Sequence, residues 1–145
     1  MKLLLDANIF LEILLKQPKA AEARTLLESD KHEFHLSLFS LYSIGILLER
    51  RNRSRQWFRF LRDSIQTGYV KVLTLSIDEL TGIFSTARQF SLDFDDAYQY
   101  LVAEIHHLTL VSFDKDFDFT PRGRMSPQAI NLLASTNAPT PQDQE

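Results

Sequence analysis

Four short apolar runs, Lys2–Leu5, 34–36, 70–75 and 109–112, alternate with stretches whose hydrophobic residues recur at helical spacing, and this restricts the chain to few folds. Strands separated by helices cannot pair as tight hairpins. They lie parallel, with the helices covering both faces of the sheet. The expected fold class is α/β, a three-layer α/β/α arrangement around a mainly parallel central sheet.

The punctuation of the chain sets the expected boundaries. Ile9, Phe10, Ile13 and Leu14 mark a first helix that stops at Gln17-Pro18, and Pro18 is placed to open a second helix reaching residue 29. Helices are expected over 38–49 and 54–67, the latter stopped by Gly68. Ser76-Ile77-Asp78-Glu79 is a capping box, which predicts one helix from there to residue 90. Asp93 or Asp95 is placed to cap the next helix, with Ala97, Leu101, Val102 and Ile105 as its buried stripe. Ser126-Pro127 predicts a last short helix through residue 133. Residues 1–134 read as a single domain, and 135–145, with Pro139 and Pro141, as a polar tail without fixed structure.

The parallel topology gives the aspartates their meaning. Asp6 ends the first apolar run, Asp95 and Asp96 open a late helix, and Asp114 follows the last apolar run. In such a sheet the strands end on one edge, and ligands bind outside those carboxyl ends. Carboxylates crowded there repel one another unless a hard cation neutralises them, so the pattern predicts a divalent-metal site. Each residue also has a plainer reading. Asp6 suits a helix cap, Asp95 and Asp96 suit a first helical turn, Asp114, Asp116 and Asp118 suit a solvated turn, and His106 and His107 suit a helix C-terminus.

The formal net charge of -3 conceals a division along the chain. Six arginines (50, 51, 53, 55, 59 and 62) fall among Trp57, Phe58 and Phe60, whereas residues 93–118 carry seven acids with Lys115 as the only Lys or Arg. This division suits a protein that holds metal at one place and a polyanion beside it. The plainer reading of the basic segment is a solvated helix face with core aromatics. The chain has no cysteine, which excludes disulfides, zinc-thiolate sites and thiol catalysis and fits a reducing compartment, so the cytoplasm is the expected location. The amino-terminal apolar stretch is too short, and too soon interrupted by Asp6 and Glu12, for a signal or a membrane span.

Three fragments, in order, resemble the PIN-domain nucleases, a family that includes toxin ribonucleases of bacterial toxin-antitoxin pairs. Leu4-Leu5-Asp6-Ala7-Asn8 is similar to the family's strand closed by an aspartate. Asp95-Asp96-Ala97 is similar to its helix opening, and Leu110-Val111-Ser112-Phe113-Asp114-Lys115-Asp116-Phe117 to its strand, hydroxyl and acid. The likeness covers about residues 1–119. It implies Asp6, Asp96 and Asp114 as catalytic and metal-binding acids for Mg²⁺ or Mn²⁺. Asn8, Asp95, Ser112 and Asp116 would then be supporting residues. The implied reaction is hydrolysis of RNA phosphodiester bonds, with a metal-bound water as nucleophile. Arg50, Arg51, Arg53, Arg55 and Arg59 are the candidates for holding RNA. The implied partners are RNA and, for a toxin, an antitoxin protein; a homodimer is also open.

One departure bears on activity. The family usually carries a glutamate in the helix after its second strand, and the preferred alignment places Ser43 there, with Gly45 as the competitor. Glu49, six residues on, is roughly 240° away around the helix and does not substitute. Two readings follow: an active endoribonuclease, or a catalytically weakened PIN-like module that binds RNA or a protein. Other aspartate-based phosphotransfer folds rank below both. A haloacid-dehalogenase-type phosphatase needs an acid where Asn8 stands, and a phosphoacceptor domain needs an acid pair before its acceptor strand.

Overall fold

In β1 (Lys2–Leu5) three consecutive leucines are fully buried, because the strand lies in the middle of the sheet with a hydrophobic layer on each side. The computed structural model describes residues 1–137. Its remaining strands are β2 (Glu33–Ser37), β3 (Val70–Leu73) and β4 (Thr109–Val111), in the order β3-β2-β1-β4, all parallel. Side chains of a strand alternate between faces. Leu3 and Leu5 accordingly join one core with helices α1 (Ala7–Leu14), α2 (Ala20–Leu27), α3 (Leu38–Arg50) and α4 (Ser54–Phe60). Leu4 joins the other core, with α6 (Ile83–Phe90) and α7 (Phe94–Ile105), while α5 (Ile77–Leu80) lies just ahead of α6. The last helix, α8 (Pro127–Thr136), packs back onto α2 in the first core. The three-layer, parallel α/β architecture expected from the alternation is the one present.

Several boundaries differ from the sequence expectation, each for a local reason. Pro18 lies in the turn rather than in a helix, and α2 starts two residues later, with Lys19 at its N-cap. The helix beginning at Ser54 continues to Gln66, but its hydrogen bonding widens to π-helical spacing over Leu61–Gln66. The capping box of Ser76 and Glu79 forms as expected, yet the helix it opens breaks at Thr81 and Gly82, and α6 is a separate element. β3 ends at Leu73 because the Leu75 N–H donates to Tyr98 Oη instead of extending the ladder. In α7 the buried residues are Ala97, Tyr98, Gln99, Tyr100, Val102 and Ala103, whereas Ile105 is exposed where the last turn runs beyond the core. Ser135 and Thr136 are helical in α8; the rest of the expected tail, 138–145, lies outside the described residues.

β1 sits where the strand order reverses, with β2 on one side and β4 on the other. In open parallel sheets ligands bind outside the carboxyl ends of the strands at such a reversal, which points to the residues that follow β1 and β4.

Candidate metal centre at the carboxyl edge of the sheet

Asp6 is the first residue after β1, and its backbone N–H still bonds the Val111 carbonyl of β4 at 2.9 Å. Its side chain serves as the N-cap of α1, with Oδ1 accepting from Ala7 N at 2.8 Å. The capping role and a ligand role are compatible, since a carboxylate has about four acceptor sites. Oδ2 accepts from Ser112 Oγ at 2.7 Å and from Asn8 Nδ2 at 3.4 Å, and Oδ1 also accepts from Gln99 Nε2 at 3.4 Å.

Ser112 is the hub that joins the two strand ends. Fully buried, its hydroxyl donates to Asp6 and accepts from Asn8 Nδ2 at 3.1 Å and from Asp114 N at 2.9 Å, which uses all its hydrogen-bonding capacity. Asn8 Oδ1 accepts from Phe113 N at 3.3 Å, and Asp114 Oδ1 from Asp116 N at 2.9 Å. The turn after β4 is thus folded around the side chains of Asp6 and Asn8. Arg124 closes it from below: Nη1 donates to the Ser112 carbonyl at 2.9 Å, and its guanidinium pairs with Asp118 at 3.0 Å. Asp118 therefore holds the loop.

Asp96 arrives from α7. Asp93, not Asp95, occupies the N-cap position, and it makes no side-chain bond to the helix N–H groups; Asp95 and Asp96 lie in the first turn. Carboxylate oxygens of Asp96, Asp114 and Asp116 lie within 4.8 Å of one another, as do those of Asp93, Asp95 and Asp96. Asp6 is in neither group, but the charge of Asp114 acts on both Asp6 and Asp96. Burial pushes the Asp6 carboxyl above its usual range despite its hydrogen bonds to Ser112, Ala7 and Gln99. Asp96 is pushed up to about 8, first by burial, then by a hydrogen bond shared with Asp93 and by the charges of Asp93, Asp114 and Asp95.

These acids fit a divalent ion by their chemistry. The donor set is all carboxylate oxygen, which suits hard cations such as Mg²⁺ and Mn²⁺ rather than thiophilic metals. The burial and the neighbouring acids that favour a proton on Asp96 favour a bound cation there as well. His106 and His107 are exposed at the C-terminus of α7, outside both acidic groups.

On α3, Ser43 is half-buried and its hydroxyl donates to the Phe39 carbonyl of its own helix at 3.0 Å. Gly45 does not point toward the acids: a Cβ built there would stand 3.0 Å from the Trp57 ring. The α3 residue connected to the acids is Ser40, through Gln99 Nε2 at 2.8 Å. Neither Ser40 nor Gln99 was singled out by sequence. Gln99 stands three residues after Asp96, on the same helical face, and that spacing was the available signal.

The model of the PIN domain matches residues 3–122. The chain belongs to the PIN-domain family. Among solved structures it is similar to a toxin-antitoxin complex from Klebsiella pneumoniae, with a TM-score of 0.67 and 21% identity over 86% of this chain and 96% of that one. A protein from Pyrobaculum aerophilum gives 0.66 and 20%, covering 94% of this chain and 90% of that one. VapBC2 from Rickettsia felis, bound to a DNA fragment of its promoter, gives 0.66 and 15%, covering 87% and 98%. No curated protein matches the chain. Identities this low carry the fold, and this PIN domain shares it with all three.

The arginines that were candidates for holding RNA, Arg50, Arg51, Arg53, Arg55 and Arg59, are all exposed. They begin at the far end of α3, roughly 20 Å along a helix of this length at about 1.5 Å per residue. Of the aromatics among them, Phe60 is core, Trp57 is partly buried and Phe58 is 67% exposed. No helix among the described residues is long and apolar enough to cross a membrane.

Proposed function

We propose that this PIN domain is a metal-dependent endoribonuclease, acting as the toxin of a toxin-antitoxin pair, with Asp6, Asp96 and Asp114 as its metal ligands. The observation that carries the reading is the shared hydrogen-bond network Asp6–Ser112–Asp114, set beside an Asp96 with a carboxylate oxygen within 4.8 Å of ones on Asp114 and Asp116. Asn8 and Ser112 fix the rotamer of Asp6 and the turn that carries Asp114, so the ligands need little rearrangement on binding. Asp116 and Asp95 add negative potential at the rim. A bound Mg²⁺ or Mn²⁺ would supply an activated water and stabilise charge on the phosphate.

The residues of the chain provide the rest. Asp6, Asp96 and Asp114 supply carboxylates, one of which is suited to accept a proton from the attacking water. Phe94, between Asp93 and Asp95, and Phe119, next to Asp118, are exposed and offer faces on which unpaired bases can stack. The arginine segment supports backbone contacts at a distance from the scission point. RNA as substrate is supported by the family resemblance, and an antitoxin as partner by the toxin-antitoxin complex among the similar folds. The absence of an acid at Ser43 favours a second reading, a weakened module that binds RNA without efficient cleavage. Incubation of purified protein with an RNA pool and Mn²⁺ separates them. The nuclease reading expects degradation that is lost with EDTA and falls by more than about 100-fold in Asp96→Asn, since even outer-shell changes cost about 10- to 100-fold. RNA that survives intact while remaining bound establishes the module instead.

A further inference from the structure

We propose that Gln99 is a positioning residue of the acid pocket: its buried amide ties Asp6 on β1 to Ser40 on α3 and does so without adding charge. Gln99 is only 3% exposed, an unusual place for a glutamine. Its Nε2 donates to Ser40 Oγ at 2.8 Å and to Asp6 Oδ1 at 3.4 Å, which commits both amide protons. Its Oε1 is buried and has no hydrogen-bond partner among the described residues.

That open acceptor carries the argument. A leucine or methionine would fill similar space in α7 with no open polar atom, so packing alone does not call for glutamine here. Flipping the amide would bring Oε1 against the Asp6 carboxylate, oxygen facing oxygen. The orientation with Nε2 toward Asp6 is therefore imposed by the carboxylate, and the unpartnered Oε1 follows from it. Gln99 thus restrains Asp6 from the side opposite Ser112, which holds Oδ2 while Gln99 holds Oδ1.

Charge is the second consequence. α3 presents a serine hydroxyl to this region, and Gln99 bridges to it with a neutral group. The pocket is consequently organised as if a further acidic contact were replaced by a dipole. Its negative charge rests on the aspartates alone.

The role rests on the metal reading proposed above, and the two can fail separately. Mn²⁺ affinity of the full chain is measured by titration calorimetry for wild type, Gln99→Met, Gln99→Glu and Ser40→Ala, with the thermal midpoint of each metal-free protein. Gln99→Met should weaken Mn²⁺ binding by about 10-fold or more, as expected for loss of a group that orients a ligand, without lowering the metal-free midpoint. Gln99→Glu should tighten binding, lower the metal-free midpoint and make binding more strongly pH-dependent. Ser40→Ala should show a smaller loss than Gln99→Met, and it carries the test if that variant does not fold. Wild-type affinity in folded Gln99→Met, or in Ser40→Ala when Gln99→Met is unfolded, overturns the positioning role alone. A wild type that binds no Mn²⁺ overturns the metal reading and this role with it.

Discussion

The two ends of α3 handle charge in opposite ways. At its N-terminus Ser37 caps the helix through Ser40 N, Ser40 meets Gln99, and Gln99 meets Asp6, so the polar groups are locked to one another at hydrogen-bond distance. At its C-terminus Arg50, Arg51, Arg53, Arg55 and Arg59 stand in solvent, and among the described residues none of the five has an acid within ion-pair distance. An open groove of about 800 Å³, lined mainly by apolar groups, runs from Tyr42 and Ile46 in the middle of α3 to Trp57 and Phe58 among these arginines. The acidic end is built for contact at fixed geometry. An exposed basic end can act on a polyanion only through its field, which salt screens within a Debye length of about 8 Å at physiological ionic strength.

This contrast can be broken most sharply at Ser112. Ser112→Ala removes the hydroxyl that holds Asp6, Asn8 and the Asp114 backbone, and should cost about 10- to 100-fold in Mn²⁺ affinity. It should also cost roughly 1 to 3 kcal/mol in stability from the buried groups left unpaired. RNA affinity measured in EDTA should be unchanged. An equal loss of RNA binding in EDTA would show that the two ends are not independent. The complementary change, Arg51, Arg55 and Arg59 each to Gln, should leave Mn²⁺ affinity untouched. It should weaken RNA binding several-fold at low salt and reduce the slope of log K against log salt by up to about 0.7 per arginine lost. An unaltered slope returns these residues to the role of a solvated face.

The smallest expected effect concerns pH. Asp96 has a folded pKa of about 8 against an ordinary value of 3.8. The folded state therefore binds more protons than the unfolded one between these values. The stabilisation this group contributes is fully present below about pH 4 and is lost as pH rises through 8. The metal-free thermal midpoint should thus carry a declining component over that window, absent in Asp96→Asn and offset by Mn²⁺. A midpoint whose pH dependence is the same in both proteins would contradict the crowding described for this residue.

The fold was legible because strand and helix periods alternate cleanly, and a parallel sheet leaves few topologies open. The placement of Asp6, Asp96 and Asp114 at element ends was legible because each borders an apolar run or opens a helix; their role as ligands is the proposal made above. What stayed hidden were contacts across the fold. Gln99 lies in the middle of a helix, and only the convergence of β1, α3 and α7 shows what its amide touches. Arg124 was equally silent, because its partners Asp118 and the Ser112 carbonyl are set by the path of the loop after β4. The break at Gly82 escaped because the capping box of Ser76 correctly marks a helix start but says nothing of its length. The arginine segment was visible as charge, whereas its distance from the acids depends on the length of α3.

The carboxyl edge of β1 and β4 is proposed to hold a divalent ion between Asp6, Asp96 and Asp114. An anomalous difference map from crystals of the full chain soaked in Mn²⁺ tests it most directly. An ion held there gives a peak about 2.0 to 2.6 Å from carboxylate oxygens of at least two of these three residues, as hard-cation coordination requires, and no such peak in Asp96→Asn. A map with no Mn²⁺ there, or with Mn²⁺ only on the exposed Asp93 and Asp95, would contradict it.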